Sequence, residues 1–253
     1  MDQSTIRIEQ QDEIAIMVLD KPPVNAIDRR LVDDSLKCLW QLSANKDIRA
    51  LVITGSGKCF SAGLDLKVVP YYRLSEQRQM VEELNNIVLK LYGFPIPTVA
   101  AVNGHAIAGG FILVLSCDYR IGTTSECKIG VTESRVGIPF PVSTMEVLRA
   151  ELSPSVARKM ALVGRTIGPQ EALQNGIFDE LQPPEDILPR AKEMAGELGA
   201  MPREAYTQIK LQLRGKTIRR IQQIIDEGSD PLLNSWIKEE GKMASSGFLA
   251  NKK

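Results

Sequence analysis

Residues 104–121 read GHAIAGGFILVLSCDYRI, and the reading of the chain turns on this stretch. The segment AGGFILVLSC (108–117) is too apolar for an exposed helix, so it is a helix of the interior. It starts on a glycine pair, Gly109 and Gly110. A helix start of this kind presents unpaired backbone N–H groups with no side chain in front of them, so a polar oxygen can approach closely. That is half of an oxyanion hole. The same glycines also permit tight packing of a buried helix, and this stretch by itself leaves both readings open.

Upstream, IRIEQ (6–10) and IAIMVLD (14–20) read as two short strands, and KPPVNAID (21–28) breaks the second and starts a helix near Asp28. In IDRRLVDDSLKCLWQL (27–42), Leu31, Val32, Leu36, Leu39 and Trp40 recur at helical spacing, and Trp40 is expected in the core. RALVITG (49–55) follows as a buried strand. A longer amphipathic helix, EQRQMVEELNNIVLKLYGF (76–94), leads to a further buried strand, PTVAAVNG (97–104). Beyond the opening stretch, DYRIGTT (118–124) and CKIGV (127–131) supply short strands. From about Pro141 onward the pattern changes to helices. Alternation in the first half and helices in the second predict an α/β core with a helical tail.

Composition narrows the function. The chain has 253 residues and is 43% hydrophobic, enough for a substantial core. Lys+Arg and Asp+Glu are both 31, so no net field gathers nucleic acid or an anionic membrane. No run approaches the ~18 apolar residues of a membrane span, and the first twenty residues do not resemble a leader. A cytoplasmic protein is expected. Cys38, Cys59, Cys117 and Cys127 form no CxxC pair and only one histidine is present, so reduced thiols and no metal are expected.

A second loop joins the first. CFSAGLDLK (59–67) follows the strand LVITG as a turn, with Asp65 at an expected helix start, and again exposes backbone donors. FSAGLDL (60–66), NGHAIAGG (103–110), CDYRI (117–121), TESRVGIP (132–139) and LVGRTIGPQEALQNGIFDEL (162–181), in this order, resemble the crotonase (enoyl-CoA hydratase/isomerase) superfamily over nearly the whole chain. The resemblance implies an α/β fold, a crotonase-type spiral of ββα units over residues 1–195, with a C-terminal helical trimerisation region over 196–253. It implies an acyl-CoA thioester as the partner, its CoA part of the substrate and no other cofactor, and a homotrimer or dimer of trimers. The oxyanion donors carried over are the N–H groups of Leu64 and Gly109. Val24, Asn25, Ala26 and Ala62 are expected at the CoA moiety, with Gly63, Asp65, Leu66, Gly110 and Ile112 beside them at the substrate.

The superfamily shares the hole and varies its acid and base, so the carboxylates decide the reaction. Enoyl-CoA hydratases carry a glutamate three residues after the glycine donor and a second in the later loop. Here the first position is Ile112, and the second is Glu133. This pattern is similar to the Δ3,Δ2-enoyl-CoA isomerases, in which one carboxylate moves a proton from C2 to C4. Ile138, Pro139, Phe140 and Pro141 are expected to form an apolar wall that raises the pKa of Glu133. Hydration, another crotonase-type lyase reaction and a non-catalytic acyl-CoA-binding role stay open.

His105 is expected to be packed or hydrogen-bonded, Asp118 structural, and Arg135 solvent-facing or locally paired. The run KLQLRGKTIRRIQQ (210–223) reads as a solvated helix face that also has the charge to meet nucleotide phosphates. Trp236 falls among the C-terminal helices. The tail GFLANKK (247–253) shows no address signal.

Overall fold

The computed structural model describes residues 4–250; the first three residues and the last three of the GFLANKK tail lie outside the described residues. The chain opens with a hairpin, β1 (Ile6–Gln11) and β2 (Ile14–Leu19), followed by α1 (Arg29–Ala44). The second unit is β3 (Ala50–Gly55), β4 (Cys59–Ser61) and α2 (Leu74–Tyr92). The third is β5 (Thr98–Val102), β6 (His105–Ile107) and α3 (Gly109–Leu115). The fourth is β7 (Tyr119–Thr123), β8 (Ile129–Gly130) and α4 (Glu133–Val136). Each unit after the first adds one strand to each of two sheets. The larger sheet runs β1-β2-β3-β5-β7 and ends on a strand from the second half, while the smaller one holds β4, β6 and β8 side by side. This is the expected spiral of ββα units.

The two sheets differ in how legible they are. β3 is buried at every position and pairs in parallel on both sides, so it reads as a continuous apolar run. β4 and β6 are only three residues long. Segment 59–61 reads as part of a turn and 105–107 carries no pattern of its own; both are strands because neighbouring segments hydrogen-bond to them. Three residues carry no usable alternation.

The second half contains α5 (Val142–Glu151), α6 (Pro154–Val163), β9 (Thr166–Ile167), α7 (Pro169–Gln174) and β10 (Glu180–Gln182). β9 closes the small sheet and β10 the large one, two strands within a region expected to be helical. α8 (Ile187–Gly199) lays Ile187, Ala191, Met194 and Ala195 on the face of the large sheet that carries Ile16, Val18, Val52 and Val99. α9 (Arg203–Glu227) and α10 (Glu239–Ala250) complete the chain. Among the described residues, no helix is long and apolar enough to cross a membrane.

Three expectations about single residues change or sharpen. Trp40 is 65% exposed, not in the core. The buried positions of α1 (Leu31, Val32, Ser35, Cys38, Leu39 and Leu42) form one stripe, and Trp40 lies about 140° around the helix from its centre. In the run 210–223, Lys210 and Arg214 are buried rather than solvated. Both pair with Asp118, Lys210 at 2.5 Å and Arg214 at 2.9 Å, and Arg214 also donates to the carbonyls of Ser116 and Cys117 just past the end of α3. Trp236 is buried, and its indole N–H donates to Pro139 O at 2.8 Å.

Candidate active site

The glycine loop and the 60–66 loop meet edge to edge. A Cβ on Gly63 would stand 2.4 Å from the Ala108 Cβ, 2.7 Å from Ile107 O and 3.2 Å from Gly109 N, and Gly63 itself has φ +79°. Only glycine satisfies both demands. Ala108 turns the chain from β6 into α3 with φ 55°, ψ −127°, a conformation that costs a non-glycine residue of order 1–3 kcal/mol and clusters at functional sites. A Cβ on Gly110 would meet Ser61 O at 2.6 Å, so Gly110 supplies close approach, and the helix-packing role of the pair is real as well.

The hydrogen bonds show which donors are left over. Ile27 and Leu64 form an isolated parallel bridge in which Ile27 N–H donates to Gly63 O and Asp65 N–H to Ile27 O. In that geometry the Leu64 N–H points away from the bridge. Ala62 N–H is taken by Val24 O, Gly63 N–H by Ser61 Oγ and Ala108 N–H by Gly130 O. Among the described residues, neither Leu64 N–H nor Gly109 N–H has an acceptor, and both residues are half-buried. They are the two N–H groups that the resemblance names as oxyanion donors.

A cleft of about 240 Å³ opens beside Leu64 and next to Gly109 at Ala108, lined by Val24, Ala26, Ala62, Leu64, Asp65, Leu66, Ala108 and Glu133 among others, while Gly109 itself borders a separate cavity. Asn25 is 0% exposed and stands behind this cleft. Its amide donates to Cys59 O at 2.7 Å and Phe60 O at 3.2 Å while its Oδ1 accepts from Lys21 N–H, so it braces one loop against the other. Ile112 is 1% exposed and faces a separate apolar cavity with Gly109, Leu31, Leu84 and Val88. Gly63, Gly110 and Ile112 thus stand behind the lining. Asp65 begins a turn rather than a regular helix; its carboxylate accepts from Lys67 N–H and faces Lys21 at 3.4 Å.

Glu133 opens α4 and is 7% exposed. Burial pushes its carboxyl up from the usual range to about 7, against the pull of the backbone N–H groups of Glu133 and Thr132. The Thr132 N–H donates to its Oε2 at 2.8 Å. Of the wall expected at 138–141, Ile138 lines the cleft together with Val136, while Pro139 holds the Trp236 indole. Sequence reasoning missed Phe248 and Leu249, which reach the cleft from α10. That helix packs on α4, with Ser245 Oγ donating to Val136 O at 3.2 Å. Nothing in the local pattern of the tail signals this contact. His105 accepts from Lys128 N–H through Nδ1 at 2.9 Å, consistent with a structural part.

Comparison with known proteins places these features in a wider group. A family model described as enoyl-CoA hydratase/isomerase matches residues 9–253. A putative enoyl-CoA hydratase of Thermus thermophilus is 30% identical over 240 residues, covering 92% of each chain. The human mitochondrial enoyl-CoA delta isomerase 1 is 29% identical over 82% of this chain and 70% of its own. Among solved structures, the human mitochondrial delta3-delta2-enoyl-CoA isomerase superposes with a TM-score of 0.86 at 26% identity, covering 98% of each chain.

Proposed function

Since the chain belongs to the enoyl-CoA hydratase/isomerase family, we propose that it shifts the double bond of a 3-enoyl-CoA to the trans-2 position, with Glu133 as the only proton carrier. The observation that carries this reading is the carboxylate inventory of the cleft. Among the described residues, Glu133 and Asp65 are the only carboxylates lining it, Asp65 faces Lys21, and Ile112 lies behind the wall. Hydration needs a second group to handle water; isomerisation does not.

In the proposed reaction, the thioester oxygen sits between the N–H groups of Leu64 and Gly109. Glu133 removes a proton from C2, and the electron pair of that C–H bond moves toward the thioester oxygen, giving a dienolate. The two N–H groups hold the negative oxygen, each contributing roughly 3 to 4 kcal/mol. Glu133 then returns the proton to C4 as the double bond forms between C2 and C3. Atoms, charge and oxidation state balance without water, metal or redox cofactor. A carboxyl poised near 7 both accepts and releases that proton readily.

The test is an ultraviolet assay of the purified protein with a 3-enoyl-CoA and, separately, with crotonyl-CoA. Growth of conjugated enoyl absorbance from the first substrate is expected. Loss of conjugation from crotonyl-CoA would instead support hydration, the reading favoured by the name of the Thermus relative. No change with either, while acyl-CoA binds, would leave a binding protein. Two further results are expected. The kcat/KM for isomerisation rises with pH through a midpoint near 7, because the base must be ionised in the free enzyme. Gly63→Ala lowers kcat about a hundredfold or more with an unchanged circular dichroism spectrum, because the new Cβ pushes Ala108 and the Gly109 donor apart.

The family reading also extends to assembly and location. A cytoplasmic homotrimer or dimer of trimers is proposed, and α9 offers an apolar surface for it, with Leu213 82% exposed and Ile209 exposed beside it. Light scattering of the eluting protein measures the mass directly.

A further inference from the structure

A second cavity of about 300 Å³ shares Ile107, Thr132 and Phe248 with the cleft, and its remaining lining includes the exposed residues Lys128, Arg135 and Arg165. Three cations around one small cavity contrast with the largely apolar catalytic cleft.

The placement follows from backbone geometry. Glu133 and Arg135 lie two residues apart on α4, so their side chains leave the helix in nearly opposite directions. Glu133 faces the cleft and Arg135 faces the annex, with Thr132 lining both. Arg135 is laid down by Gly164, whose φ is +62° and where a Cβ would strike the Arg135 Cγ at 2.8 Å and Ser134 Oγ at 2.6 Å. The Arg135 Nε–H donates to Val163 O at 3.1 Å, which leaves its terminal N–H groups for another acceptor. Arg165, the residue after Gly164, pairs with Glu171 at 2.9 Å. Among the described residues, Lys128 and Arg135 have no carboxylate within ion-pair distance, so two of the three charges are uncompensated.

We infer that this annex binds an oxyanion carried by the substrate, and that the terminal carboxylate of a dicarboxylic acyl chain is the source the geometry favours. The inference rests on the acyl-CoA reading above. In that reading the CoA moiety lies against Val24, Ala26 and Ala62, and Thr132, which lines both cavities next to Glu133, gives the carbons past C4 a way into the annex. An apolar chain end has no reason to enter a cavity lined by arginine, whereas a carboxylate there meets planar donor groups suited to it. A phosphate of CoA offers the same chemistry and is the other source to be distinguished.

Affinity decides it, measured by calorimetry with saturated thioesters so that no turnover is required. The mono-CoA thioesters of hexanedioic, octanedioic and decanedioic acids are compared with the matching monocarboxylic acyl-CoAs, in the wild type and in the Arg135→Gln and Arg165→Gln variants. At the best-fitting length the dicarboxylic ligand is expected to bind about tenfold tighter than its partner, and the ratio to fall toward one in each variant. Arg165 lies on a different segment from Glu133, so its variant leaves the helix carrying the base intact in sequence. Persistence of the ratio in pantetheine thioesters assigns the anion to the acyl end. Weakening of all CoA ligands alike, with pantetheine ligands unaffected, keeps the anion site and assigns it to a CoA phosphate. A ratio of one in the wild type together with unchanged affinities in both variants overturns the proposal. None of these outcomes depends on the double-bond shift, which stands or falls in the optical assay.

Discussion

Glu133→Gln is expected to lower kcat for isomerisation about ten-thousandfold while leaving acyl-CoA binding within a few-fold of the wild type. The upper end of the general-base range applies because the same carboxyl takes and returns the proton, and no second carboxylate in the cleft is free to replace it. The variant has an independent signature in stability. The folded protein holds this carboxyl at about 7, above its ordinary value of 4.5. Stability associated with the protonated form is therefore complete below about pH 4.5 and is lost as pH rises through 7. The shift of about 2.5 corresponds to at most about 3 kcal/mol. Gln does not titrate, so the stability of the variant relative to wild type is expected to increase by up to about 3 kcal/mol between pH 4.5 and pH 8. Urea unfolding at the two pH values measures this. A difference that does not change with pH would mean that the carboxyl is hydrated and not poised as a base.

Asp118→Ala carries the largest expected loss of stability. The Asp118 carboxylate accepts from Thr98 N–H at 2.9 Å and Tyr206 OH at 3.1 Å, and it balances Lys210 and Arg214, whose side chains are slightly more buried than its own. Burial, helped by the neighbouring Arg214 charge, lowers the pKa of Lys210, and Asp118 is the main opposing influence. Removing the anion leaves Lys210 with only the carbonyls of Phe94 and Ile96 as acceptors, and leaves Arg214 with Glu151, which also pairs with Arg120. A cost of about 3 to 5 kcal/mol follows, or roughly 6 to 20 °C in the unfolding midpoint for a chain of this size. Catalysis per folded molecule is expected to fall far less than in Glu133→Gln, because the cluster lies at the far end of α3 from Gly109. Thermal unfolding and kcat measured below the transition separate the two effects. Replacing Lys210 with Met in the Asp118→Ala background should recover part of the loss, since one unpaired charge is then gone.

Much of this molecule was legible in the linear chain. Strand β3 announces itself as a continuous apolar run and helices α1 and α2 by their periodicity, since both patterns reflect burial along one element and need no knowledge of neighbours. The two donor loops were readable because glycine at 63 and 110 marks where backbone must approach backbone. Glu133 stood out by position within a motif. Its surroundings did not, since the pKa of a carboxyl depends on what excludes water from it.

Tertiary structure decided the rest. Strands β4, β6, β8 and β9 are two or three residues long and exist through their partners, so no local pattern specifies them. Asn25 and Ile112 look from the sequence like substrate contacts, yet which side of a loop a side chain takes is set by the packing behind it. Trp40 and Lys210 exchange their expected places, one outside and one inside, because burial belongs to the partner surface that arrives from elsewhere in the chain. The closing of the cleft by Phe248 and Leu249 joins residues more than a hundred positions from Glu133. Identity and order of the chemical groups are local properties of a chain, and the sequence determined them. The direction of each group, the water around it and the distant segment packed against it are properties of the folded whole.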